Sequence, residues 1–169
     1  MLTLDTLVIE ELIKVLEQET KKYNDLLKIS KDKTNIIIEG KVSELESIVK
    51  LEQSIILDMS KLEDLREKLV EKLSDSMGLD ASEITISTLA GRVNDSYAQK
   101  LRTCQKTLSE VINELKDTNS LNLKLIKNSL EYIDFSINVL TAADPACNTY
   151  GSTGEVNGSK KRSLIDMKL

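Results

Sequence analysis

LNLKLIKNSLEYIDFSINVL, residues 121–140, carries two apolar stripes where a helix inside a bundle needs one. At about 100° per residue, Ile126, Leu130, Ile133, Ile137 and Leu140 fall on one side. Leu121, Leu125, Tyr132, Phe135 and Val139 fall on roughly the opposite side. One stripe can pack within the protein's own bundle. The second is either flanked by the other helices or reserved for a partner, and that choice decides the function.

Traced backwards, the first stripe continues through Tyr97, Leu101, Cys104, Leu108, Ile112, Leu115, Asn119 and Asn122. That is a coiled-coil-like seam. Asn94 or Asp95 is a suitable N-cap, and Asp144-Pro145 stops the helix after Ala143, so a helix is predicted over 95–143. Its length is about 70 Å at standard rise. On its second side Gln99, Thr103, Glu110, Glu114 and Asp117 are polar, and the change to apolar residues begins at Leu121.

Before residue 150 the glycines are Gly40, Gly78 and Gly91, and Pro145 is the chain's one proline. Such residues punctuate helices, so two further helices are predicted over 4–38 and 42–77. The first places Ile9, Leu12, Leu16, Tyr23, Leu26 and Ile37 on one face; the β-branched run TNIII near its end follows its helical context. Ser43 and Glu46 have the spacing of a capping box for the second. A link as short as that at Gly40 makes helices one and two antiparallel neighbours. Helix three, being longer, is expected to project past that turn. Between Gly78 and Asp95 the periodicity stops, and ITISTLAGRV fits a short helix between Thr85 or Ser87 and Gly91, as a plain connector or an interaction loop. The expected fold is all-α: an elongated antiparallel bundle of three long helices over 1–144, with a short connector helix. A flexible tail over 145–169 completes it, rich in Gly, Ser, Thr and Asn.

Composition narrows the function. Aromatics make up 3% of the 169 residues and charged residues 30%, which suits long helices laced with solvated charge. A net charge of −5 argues against nucleic acid as the main partner. Cys104 and Cys147 lie too far apart along the predicted helix and tail to pair, and two unpaired thiols fit a reducing cytoplasm. The N-terminus MLTLDTLVIEELIK lacks the pattern of a signal peptide, and no apolar run is long enough to span a membrane. With no histidine, phosphate loop or nucleophile elbow, the chain offers no catalytic residues, metal site or cofactor site, so an enzyme is not expected. Asn119 and Asn122 stand in the seam itself, where buried Asn fixes register or hydrogen-bonds an incoming chain.

These segments together resemble the FlgN family of flagellar export chaperones over most of the chain. The similarity lies in TNSLNLKLIKNSLEYIDFSINVLT with its Asn119-x-x-Asn122 run, Ser129 and Leu130, followed by TYGSTGEVN and the closing RSLIDMKL. EGKVSELESIVKLEQSI resembles the family's first turn and second helix, and GLDASEITISTLAGRV its connector. Lys41 stands where a capping acid is expected, and Ser152 where a proline is expected. The resemblance implies a cytoplasmic, non-enzymatic chaperone that holds the C-terminal amphipathic segments of the hook–filament junction proteins FlgK and FlgL and delivers them to the export gate protein FlhA. Carried over by position, it implies client contacts at Asn119, Asn122, Leu125, Ile126, Leu130, Ile133 and Ile137, and a gate contact at Tyr150. The second stripe adds Tyr132, Phe135 and Val139 to the candidate partner-binding residues. A homodimer, or Leu164–Leu169 folded back, would cover the surface without a client. The alternative from another class is a self-associating coiled-coil scaffold with no client.

Overall fold

The computed structural model describes residues 4–142. The chain is all-α, with helices α1 (Leu4–Glu39), α2 (Val42–Met77), α3 (Ile86–Ala90) and α4 (Asp95–Ala142), and a 3-10 turn at Ala81–Glu83. No strand occurs among the described residues. The tail over 145–169, with Cys147 and Tyr150, lies outside them.

Up to Leu125 the chain forms one packed unit. Its register is written in side-chain pairs. Glu19 meets Arg66, Lys22 meets Asp58 and Lys33 meets Glu52. As the α1 number rises the α2 number falls, so α1 and α2 are antiparallel. Along α4 the order runs the other way: Tyr97 donates to Glu10, Ser30 donates to Asn119, and Thr34 donates to Asn122. Here both numbers rise, so α4 is parallel to α1.

The link between α1 and α2 is as tight as glycine permits. Gly40 has φ +68°, a left-handed conformation that side chains disfavour. The Gly40 amide donates to Ile37 O and the Lys41 amide to Ile36 O, satisfying carbonyls that the end of α1 leaves open. This two-residue turn corrects the expected capping box. Helix α2 already starts at Val42, with Lys41 as an N-cap that makes no side-chain cap hydrogen bond. Ser43 and Glu46 therefore lie inside α2, where Glu46 pairs instead with Lys50. A capping box does occur later. Asp80 accepts from Ser82 N, and Glu83 accepts from Asp80 N at 3.1 Å, ordering the chain into the connector.

Burial is graded along the unit. The densest cluster joins Val8, Ile9, Leu12, Ile13, Val15 and Leu16 of α1 to Leu69 and Leu73 of α2, Leu89 of α3, and Leu101 and Cys104 of α4. The connector helix is therefore part of the core. Thr85 caps its start by accepting from Thr88 N, and Gly91 follows its last residue. A smaller cluster follows, of Leu26, Leu27, Val111 and Leu115, with Tyr23, Ile55 and Met59 against it. Between the two sits Glu19, 6% exposed and paired with Arg66 Nε at 3.0 Å.

On α4 the buried positions are Ala98, Leu101, Cys104, Val111, Leu115 and Asn122. The expected seam residues Leu108 and Ile112 are only half-buried. Both line a cleft of about 570 Å³ shared with Ile56, Met59 and Ile86, so α4 buries Val111 in place of Ile112. The run Thr34 to Ile38 stays helical, with Ile36 and Ile37 half-buried and Ile38 exposed. No helix among the described residues is long and apolar enough to cross a membrane.

Candidate partner-binding surface

The candidate residues fall into a polar layer and an apolar end. The layer closes the packed unit. Asn122 is 2% exposed and Ser30 is fully buried, so every polar atom there needs a partner. The Asn122 amide nitrogen donates to Ser30 O at 2.9 Å and to Ser30 Oγ at 3.3 Å. Its oxygen accepts from Thr34 Oγ1 at 2.6 Å. Ser30 Oγ in turn donates to Asn119 Oδ1 at 2.7 Å. No buried side-chain polar atom among the described residues is left without a partner.

Both asparagines thus clasp α1. This geometry supports the register role, since a slip of α4 by one turn would break every bond at once. A client could reach the Asn122 amide only if α1 and α4 parted there, whereas Asn119 keeps an exposed flank. Sequence reasoning missed Ser30 and Thr34. The available signal was a pair of small hydroxyl residues four apart on α1, one turn of the same face.

Ile126–Ala142 is a separate unit. No residue in it is buried. Leu130, Ile133 and Ile137 of the first stripe are exposed, as are Tyr132 at 72%, Phe135 at 65% and Val139 of the second. Ile126 is half-buried, and so is Leu125 just before the boundary. Among the described residues, neither stripe of this end is covered. Exposed apolar surface of this extent is the kind that interaction sites present.

Charge on this end is sparse: Lys127 lies 3.9 Å from Glu131, both largely exposed, a pairing that contributes little. Among the described residues no cluster of three or more His, Cys, Asp or Glu could hold a metal ion. What the apolar end can do is bury another amphipathic helix.

Comparison with known proteins agrees in extent with this architecture. The model of the FlgN protein family matches residues 1–158. The chain is also similar to the uncharacterized protein YvyG of Bacillus subtilis (strain 168), 29% identical over 147 residues, which is 86% of this chain and 89% of that protein. No solved structure matches.

Proposed function

The chain belongs to the FlgN family, and from that premise we propose that it is a non-enzymatic flagellar export chaperone working in the cytoplasm. Its clients are the hook–filament junction proteins FlgK and FlgL, held by their C-terminal amphipathic segments and passed to the export gate protein FlhA. The observation that carries this reading is the apolar end of α4, where Leu130, Tyr132, Ile133, Phe135, Ile137 and Val139 are all exposed. An amphipathic client segment supplies the missing apolar face, which is helix-in-groove capture. Asn119, Asn122, Leu125 and Ile126 are further proposed client contacts, and Tyr150 is the proposed gate contact.

The test is titration of the purified chain with a peptide from the C-terminus of FlgK or FlgL. Binding is expected in the wild type and lost in Phe135→Asp, with helicity and melting unchanged because Phe135 is largely exposed. A variant that unfolds would make that face core and end the docking reading. The exposed first stripe also favours a second reading, a scaffold that only self-associates. Absence of peptide binding at high micromolar concentration, together with a stable, concentration-independent oligomer, would select it.

A further inference from the structure

We propose that the cleft lined by α2 and α4 receives the chain's own segment KKRSLIDMKL, residues 160–169, in a contact made within one molecule. The cleft lies wholly inside the packed unit and measures about 570 Å³. Ile56 and Met59 of α2, Ile86 of α3, and Leu108 and Ile112 of α4 give it apolar walls. None of them is buried, and Ile56 is 53% exposed.

Charge in the cleft is out of balance. Arg66 donates from Nε to Glu19 at 3.0 Å and from Nη2 to Glu63 at 3.4 Å. One guanidinium thus serves two carboxylates, and the other side chains lining the cleft are uncharged. Tyr23, half-buried on the same wall, registers the surplus: burial first, then Glu19 and Glu63, push its hydroxyl above the ordinary range against the opposing pull of Arg66. Glu63 is largely exposed, so a newcomer can reach it. The fitting occupant is basic and apolar in succession. Residues 160–169 have that order, with Lys160, Lys161 and Arg162 ahead of Leu164, Ile165 and Met167.

Size and reach agree with a short tethered segment. Pockets of about 300–1,000 Å³ take small ligands, so this cleft has room for a few side chains. A long helix or a second copy of the chain needs a face nearer the roughly 800 Å² per partner of a stable interface. From Ile112 to Ala142 α4 rises about 45 Å, while residues 143–160 extend to about 60 Å. The segment therefore reaches the cleft whatever path the end of α4 takes. Tethering also raises its local concentration, so a contact that would be weak between separate molecules is populated within one. The inference is independent of the client reading, because it is measured with no client present.

Amide NMR of the full chain tests it, with a nitroxide label on Met167→Cys in a Cys104→Ala, Cys147→Ser background. Signals around Met59, Leu108 and Ile112 are expected to broaden and those around Gly40 to stay sharp. Reducing the nitroxide should restore every signal, which shows that the fold is intact. When labelled chain is mixed with isotope-enriched chain that carries no label, the enriched signals should stay sharp, because the contact is intramolecular. In the labelled chain Leu164→Asp should lower the docked fraction roughly tenfold, and Glu63→Lys severalfold through lost charge attraction. Cleft signals that stay sharp, broadening that passes between chains in the mixture, broadening centred on Leu130 and Ile137 instead, or variants that broaden as fully as their parent would each overturn the proposal.

Discussion

Asn122 is the last buried residue of α4, and its amide is shared between two residues of α1. Replacing it with alanine removes three hydrogen bonds from a dry place, leaving Thr34 Oγ1 only its contact with Ser30 O at 3.2 Å. Asn122→Ala is therefore expected to lower stability by about 1–3 kcal/mol in urea unfolding, and Asn119→Ala, half in solvent, by under about 1. Equal effects would mean that the layer is hydrated. Cys104 tests the core at the same scale. Burial pushes its thiol above the ordinary range, with Glu17 adding to the effect. The folded thiol thus holds its proton to higher pH than the unfolded one. The extra stability is complete below the unfolded thiol value, near 8.5, and declines as pH rises beyond it. Cys104→Ala should remove that alkaline slope. In a Cys147→Ser background, Ellman's reagent should reach Cys104 only after unfolding.

At the scale of elements, the helix ends separate what composition reveals from what it hides. Ser43→Ala is expected to leave the melting temperature unchanged, because Ser43 lies inside α2 and caps nothing. Thr85→Ala, which removes a real cap from α3, should destabilise by about 0.5–2 kcal/mol. Gly40→Ala, at a positive φ with open space around it, should cost about 1 kcal/mol from backbone conformation alone. Gly40 and Gly78 were legible as breaks because a left-handed residue after a helix is nearly always glycine. The place of Ser43 was not, since its pattern match ignores that Gly40 and Lys41 already use their amides on α1. Asp80-x-x-Glu83 has the same form and is genuine, which shows that spacing alone does not choose between them. Leu101 and Leu115 were legible from period; Val111 in place of Ile112 was not, because a cleft on one side of α4 rotates the buried face. The apolar end itself stood out in the sequence, while the Ser30 and Thr34 clasp depended on a helix brought near only by folding.

For the whole molecule, the contrast lies between a residue such as Leu101, fully buried, and Leu130, 57% exposed. Leu101→Ala should cost about 2–5 kcal/mol, whereas Leu130→Ala should stay within about 0.5 kcal/mol, as read by chemical denaturation. That burial stops at Asn122 has a consequence for motion. An isolated helix of seventeen residues is marginal in water, so amide hydrogens beyond Ile126 should exchange with deuterium far faster than those around Leu101. Any molecule that settles on this stretch must first hold its backbone still. Part of the contact energy is spent on that ordering, so whatever binds there is held less tightly than its contacts alone would allow.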